Sequence, residues 1–148
     1  MRTKAVLAAA FVLLLALGAF AAAPKTEAEK LTGTWLAVSV TTDGKETPAG
    51  DVKMVLIVEG DKYSLVTGST VIKGKHKLDG SKTPKTIDAT RSAGADKGVL
   101  IKGIYELDDK NFKVCFAAAG KARPTAFDAK AGTGNRLIVM KRSKSKTR

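Results

Sequence analysis

The chain has 148 residues, with 26 basic and 14 acidic side chains, one histidine and one cysteine. A single cysteine excludes an internal disulfide, and a lone histidine without a cysteine cluster disfavours a zinc site of several such ligands. We therefore expect stability to come from packing and strand pairing, and we expect no metal and no cofactor.

Residues 1–23 have the build of a secretory signal peptide. Arg2 and Lys4 precede an unbroken apolar run over Ala5–Ala19, and small residues that fit a small-x-small cleavage pattern follow it. We predict cleavage and export to the periplasm or the cell exterior, which leaves one domain of about 125 residues, enough for a single core. The alternative is a membrane anchor formed by the uncleaved segment, since about 17–25 apolar residues span a bilayer.

Five of the positive charges lie in the last eight residues, and residues 143–148 are predicted to form a basic disordered tail. Such a run attracts phosphates without sequence preference. Aromatic side chains, which would stack on bases, are few, so we expect no specific nucleic acid partner. In an exported protein the tail suits an anionic envelope polymer or lipid headgroups.

The rest of the chain predicts one short helical turn followed by strands. Residues 24–30 are predicted to be a short linker that includes most of one helical turn. This turn begins at Glu27 and ends at Leu31, the first residue of the barrel domain, shortly before Gly33. Eight strands are predicted: Thr34–Thr41, Val52–Val58, Lys62–Thr67, Thr70–Leu78, Lys85–Arg91, Val99–Leu107, Asn111–Ala117 and Arg136–Arg142. A ninth short extended piece is predicted at Thr125–Ala129.

The connections between these strands indicate an all-β fold. Residues 59–61, 68–69 and 108–110 are short links rich in Gly, Asp or Asn, which join antiparallel strands as hairpins. No segment keeps a helical period, so a βαβ architecture is disfavoured. Residues 31–142 are expected to form an eight-stranded antiparallel β-barrel, with a flattened β-sandwich as the alternative.

Alternation along the strands predicts which side chains point into the barrel. In Thr70–Leu78, Ile72, Gly74, His76 and Leu78 share a face opposite three lysines, and lysine prefers water. The same rule turns Cys115 outward. The candidate ligand-binding residues of the barrel interior are Tyr63, His76, Arg91, Tyr105 and Phe116.

Two groups of residues resemble known proteins. Gly33-Thr34-Trp35 resembles the opening of the lipocalins, which implies a structural role for Gly33 and for Trp35 at the closed end of a lipocalin-like barrel. The later half, with Gly103–Leu107, Lys113–Phe116, Gly120–Phe127 and Leu137–Arg142, resembles an uncharacterised exported lipocalin-like domain family abundant in planctomycete bacteria. This resemblance implies a fold and a compartment, and it supplies no activity or site residues.

Little in the sequence suggests catalysis. No Gly-x-Ser-x-Gly elbow is present, and Gly94–Gly98 does not precede a helix as a phosphate-binding loop would. His76 and Cys115 could act as a nucleophilic pair only on one side of the sheet, and alternation places them on opposite faces. Arg123 is interpreted as a surface charge in a turn. We predict no catalytic residues and a protein that is not an enzyme.

The sequence therefore supports two hypotheses. The first is an exported, non-enzymatic and monomeric module that binds a small apolar or amphiphilic molecule of unknown identity. The alternative is a structural or interaction protein of the cell envelope, with a filled core, that associates through its basic surface and tail. The size of the barrel cavity separates them.

Overall fold

A computed structural model describes residues 23–144 of the chain. Residues 1–22 of the predicted signal peptide and residues 145–148 of the predicted tail lie outside the described residues. The elements in chain order are α1 (Glu27–Leu31), β1 (Gly33–Thr42), β2 (Lys45–Pro48), α2 (Ala49–Val52), β3 (Met54–Glu59), β4 (Lys62–Thr67), β5 (Thr70–Asp79), β6 (Lys85–Arg91), β7 (Leu100–Leu107), β8 (Asn111–Phe116) and β9 (Arg136–Arg142).

The strands form one antiparallel sheet that closes on itself. Each strand from β3 to β9 pairs with its neighbour in sequence, and β1 pairs with both β3 and β9. The β1–β9 ladder runs from Trp35 opposite Arg142 to Thr42 opposite Arg136. This ladder makes an eight-stranded barrel, so the predicted lipocalin-like fold is confirmed and the flattened sandwich is wrong. Closure pairs each of these eight strands on both sides, which removes most of the exposed sheet edge that invites aggregation.

The predicted helical turn and all eight predicted barrel strands are present, while some of the segments between them differ from the prediction. Asp43 and Gly44 both have positive φ, which is the geometry of a two-residue hairpin turn, and they lead into the extra strand β2. Val52, expected to open a strand, ends α2 instead. The extended piece expected at Thr125–Ala129 is wrong, because that segment consists of bends and irregular backbone. The segment instead packs on the outer face of β8, where the Asp128 carbonyl accepts a hydrogen bond from the Cys115 thiol.

Burial along the strands follows the predicted alternation. In β5, Gly74 and His76 are buried, whereas Lys73, Lys75 and Lys77 are exposed. The core is made of inward side chains from the barrel strands together with Leu31 of α1. The three lysines therefore place one face of β5 in solvent, and the opposite face forms part of the interior wall of the barrel.

Helix α1 covers one end of the barrel. Its start is fixed by a capping box, in which Thr26 and Glu29 bond reciprocally to each other's backbone N–H. Leu31, at its end, is buried in the barrel core. Across residues 23–144, no helix is both long enough and apolar enough to cross a membrane.

Trp35 and Arg142 complete this closed end. Trp35 is fully buried and donates from its indole Nε1 to the Leu31 carbonyl over 2.8 Å. The Arg142 guanidinium lies 4.2 Å from the Trp35 ring centroid and donates to the backbone carbonyls of Lys30 and Thr32. These bonds tie the last strand and α1 to the first strand and close this end of the barrel.

Candidate functional site

The barrel contains a cavity of about 350 Å³. It begins beside Leu31 and Phe112 near the closed end and reaches the segments 96–101, 117–119 and 134–136 at the opposite end. Most of its wall is aliphatic or aromatic. Its volume falls at the lower end of the roughly 300–1,000 Å³ that small-molecule pockets occupy. The interior is therefore not completely filled by side chains.

Four of the five candidate ligand-binding residues line this cavity. Tyr63, His76, Arg91 and Phe116 all contribute to the wall. Tyr105 also points inward, but it lies at the closed end among core side chains, where its ring packs 6.2 Å from that of Phe112. The structure thus brings four candidates together and places the fifth beneath the cavity.

A group of polar side chains surrounds Gly74 on one side of the cavity. Gly74 pairs with Tyr63 on β4 and with Arg91 on β6, and His76 follows two residues along the same face of β5. A Cβ atom on Gly74 would lie 2.6 Å from the Tyr63 hydroxyl oxygen, so only glycine admits this ring position. We call Tyr63, His76 and Arg91 the polar wall of the cavity.

His76 has an unusual environment within the polar wall. Its side chain is only 8% exposed, and Nδ1 and Nε2 have no hydrogen-bond partner among the residues that the structure describes. A buried polar atom without a partner costs about 1–3 kcal/mol. Burial lowers the pKa of His76 below its ordinary value of 6.5, against the opposing effects of the Gly60 backbone and the Asp61 carboxylate. The ring is therefore neutral at pH 7.

The other two members of the polar wall lie nearer the open end. Burial raises the pKa of the Tyr63 hydroxyl above 10.0, against the opposing charge of Arg91, so the phenol stays protonated. The Arg91 guanidinium forms an ion pair with Asp96, which also lines the cavity. Asp96 lies in the loop between β6 and β7, where Gly94 and Gly98 have positive φ and let the chain turn back.

The sequence alone did not identify Asp96. Gly94 and Gly98 give its segment some likeness to a phosphate-binding loop, and that pattern says nothing about the acidic residue between them. One feature of the sequence could have indicated an ion pair with Arg91. Asp96 is an acidic residue five positions after this inward arginine, and the turn between them is short enough to bring it back to Arg91. Strand alternation does not extend into such a turn, so it could not show that Asp96 reaches the cavity.

Cys115 and His76 lie on opposite faces of the barrel wall and cannot form a nucleophilic pair. Cys115 points outward as expected, but it is fully buried under the β8–β9 loop rather than on an open surface. Its thiol donates to the Asp128 carbonyl at 3.3 Å, and burial raises its pKa. Among residues 23–144, no group of three His, Cys, Asp or Glu side chains is placed to hold a metal ion.

Arg123 is not a simple surface charge. Its guanidinium donates to the carbonyls of Ile87 and Gly103 over 3.0 and 2.7 Å, and to the Asp88 carboxylate over 2.6 Å. These bonds fasten the β8–β9 loop to the outer face of β6 and β7. The interpretation of Arg123 as a turn charge is wrong because the loop folds back across the sheet.

Comparisons of the chain with protein-family models, with curated proteins and with solved structures found no match. The function must therefore be inferred from the cavity, its polar wall and the charge on the barrel surface.

Proposed function

We propose that this protein is an exported, non-enzymatic binding module that holds one small apolar or amphiphilic molecule inside its barrel. The observation that carries the proposal is the cavity of about 350 Å³, closed at the α1 end and reaching the loops at the other. A barrel of eight strands is wide enough to hold one small ligand. A filled-core structural protein would have no need of such a space.

The chemistry of the wall supports an amphiphilic ligand in particular. Apolar side chains such as Ile72, Phe116 and Ile138 favour an apolar body through the hydrophobic effect. The polar wall offers hydrogen bonds to a polar group, and His76 lacks such bonds within the described chain. Ligand pockets commonly combine an apolar lining with a few polar groups that fix orientation.

The proposed compartment rests on the sequence of residues 1–23. A basic start, an apolar run and small residues before Pro24 are typical of a cleaved signal peptide. A binding module of this kind would act in the periplasm or outside the cell. An N-terminal sequence of the mature protein that begins between residues 21 and 25 would support cleavage, and a retained Met1 would favour the membrane-anchored alternative.

Native mass spectrometry of the secreted protein, purified without detergent, is the first test. A discrete extra mass that disappears on denaturation would reveal a bound molecule. Titration with the neutral fluorescent probe N-phenyl-1-naphthylamine provides a second measurement that needs no knowledge of the natural ligand. We expect saturation at one probe per chain.

The variant Ala89→Phe tests whether the probe occupies the barrel. Ala89 is buried and lines the cavity beside His76, its cross-strand partner on β5, so a phenyl ring there would fill the space. Thr90→Phe places the same ring one residue along β6, on the other face, and is the matched control. We expect at least tenfold weaker probe binding in Ala89→Phe and unchanged binding in Thr90→Phe.

Should Ala89→Phe fail to fold, Ala118→Phe near the open end replaces it, because Ala118 also lines the cavity. Probe binding that is unaffected by both the Ala89→Phe and the Ala118→Phe substitution would place the probe on the protein surface. That result, or the absence of both bound mass and probe binding in the original chain, would contradict the proposal.

The exposed lysines favour a second candidate function, association with anionic envelope polymers or lipid headgroups. Lys73, Lys75 and Lys77 project side by side from the outer face of β5. Cosedimentation with phosphatidylglycerol vesicles, compared between the original chain and a variant with all three changed to Gln, tests this. Binding that persists in high salt and after deletion of residues 143–148 would exclude an electrostatic mechanism.

A further inference from the structure

The polar wall is made only of groups that can donate hydrogen bonds to a ligand. The Arg91 guanidinium and the Tyr63 phenol are donors, and the neutral imidazole of His76 has one N–H. Tyr63 and Arg91 are the two cross-strand partners of Gly74, and its missing side chain lets the Tyr63 hydroxyl lie over β5. The Tyr63 hydroxyl thus reaches from β4 towards the β6 side of Gly74, where Arg91 lies, so one small head group can contact both.

The charge of this group is positive. Arg91 is cationic, while Tyr63 stays protonated and His76 stays neutral for the reasons given above. A carboxylate matches the group, because it carries a negative charge and only accepts hydrogen bonds, at about four positions. A hydroxyl would give Arg91 no new charged partner, so Arg91 would stay paired with Asp96, and an ammonium would be repelled.

Within the chain, Arg91 already binds one carboxylate, that of Asp96. Its carboxylate binds Arg91 at the edge of the cavity, and the Asp96 side chain is 57% exposed. It reaches Arg91 from the loop Ser92–Gly98, most of whose residues are small, and not from a strand of the sheet. Asp96 therefore has the properties of a replaceable partner, because it can turn to water when another carboxylate binds Arg91.

We propose that the cavity binds a carboxylate-bearing amphiphile, whose head group takes the place of Asp96 at Arg91 and is also held by Tyr63. The apolar part then lies against the aliphatic and aromatic wall. This inference rests on the proposed function, since it names the class of molecule that the same cavity takes. Charge selection by Arg91 is its central requirement.

Three probes with the same ten-carbon chain test this selection: decanoate, decan-1-ol and decylamine, measured by displacement of N-phenyl-1-naphthylamine at pH 8. We expect decanoate to bind at least tenfold more tightly than decan-1-ol, and decylamine to bind more weakly than both. Equal or tighter binding of decan-1-ol would overturn the inference and leave the proposed function intact. Failure of both decan-1-ol and the fluorescent probe to bind would count against the proposed function itself.

Arg91→Gln should abolish the preference for decanoate over decan-1-ol. Lys75→Gln is the matched control, since it removes one positive charge from the outer face of β5, the strand beside β6. It should leave the preference unchanged. An unchanged preference in Arg91→Gln, or its loss in Lys75→Gln, would show that the general charge of the protein is responsible and would overturn the inference.

Two further variants examine the partners of Arg91. Tyr63→Phe should weaken decanoate binding several-fold, and weaken decan-1-ol binding less, because the bond to a charged acceptor is the stronger one. Asp96→Asn should strengthen decanoate binding several-fold, because the amide cannot compete for the guanidinium charge. Weaker decanoate binding in Asp96→Asn would mean that Asp96 supports the site and does not compete for it. The proposed replacement of Asp96 by the ligand carboxylate at Arg91 would then be wrong. Thermal unfolding of each variant confirms that it is folded.

Discussion

The Tyr105 hydroxyl donates a 2.7 Å hydrogen bond to the Glu27 carboxylate and so joins the barrel wall to α1. Glu27 also accepts hydrogen bonds from Lys85, at 3.1 Å, and from Lys30, at 3.3 Å. Burial raises the pKa of Glu27, but these hydrogen bonds outweigh it and hold the pKa below 4.5. One carboxylate thereby holds the short helix over the closed end of the barrel.

Removal of the Tyr105 hydroxyl should loosen this closure. We expect Tyr105→Phe to lower the free energy of unfolding by about 1.5–3 kcal/mol, the range for hydrogen bonds to charged groups. Urea denaturation provides the measurement. Tyr63→Phe, which removes a hydroxyl from the cavity instead, should change it by less than about 0.5 kcal/mol. Additive effects of Tyr105→Phe and Glu27→Gln in a double-mutant cycle would show that the pair does not act as a unit.

The β8–β9 loop should detach from the outer face of the sheet when Arg123 is changed to Met. The substitution keeps an aliphatic chain but removes the donors to Ile87, Gly103 and Asp88. We expect a loss of about 1–3 kcal/mol of stability, together with faster amide hydrogen exchange in the loop than in β3 and β4. Lys121→Met, an exposed change in the same loop, is the control and should alter neither quantity.

Strand patterns predicted the sheet well because most strands have one face towards water. In β5 the lysines and the apolar residues alternate without interruption, so the inward set, including His76, follows from the period of two. The same rule gives the face of a residue but not its depth along the barrel. Tyr105 and Phe116 both point inward, yet the first lies at the closed end and the second lines the cavity.

The contacts made by loops were the part that the sequence did not reveal. Asp96 reaches Arg91, and Arg123 reaches the carbonyls of β6 and β7, only through the path that each loop takes over the barrel. Those paths depend on the closed sheet, whose closing β1–β9 ladder joins residues distant in sequence. Strand β2 is different, since Asp43-Gly44 carries a local hairpin signal that the strand assignment overlooked.

The Cys115 thiol should resist modification in the folded protein. It is fully buried beneath the β8–β9 loop, and burial raises its pKa, which reduces the thiolate that reacts. We expect reaction with 5,5′-dithiobis(2-nitrobenzoic acid) to be at least a hundredfold slower in buffer than in 8 M urea. Arg123→Met should speed the reaction in buffer, because the loop that covers Cys115 is released. Rapid reaction of the original chain in buffer would contradict the covered position of Cys115.

The neutral state of His76 should make stability depend on pH. The unfolded chain has a histidine pKa near 6.5, and burial lowers it in the folded barrel. Below about pH 6.5 the unfolded chain therefore binds a proton that the folded chain does not, so stability is complete above this pH and decreases as the pH falls. One such group gives a slope of at most about 1.4 kcal/mol per pH unit.

Urea denaturation between pH 7.5 and 5.5 measures this dependence and separates it from Glu27, whose lowered pKa affects stability only as the pH approaches 4.5 and below. The variant His76→Gln keeps a polar side chain of similar length but does not titrate in this range. We expect the loss of stability towards pH 5.5 to be clearly smaller in His76→Gln than in the original chain. Equal losses in the two proteins would mean that His76 takes up its proton as easily inside the barrel as in water, and the neutral imidazole donor assigned to the polar wall would have to be abandoned.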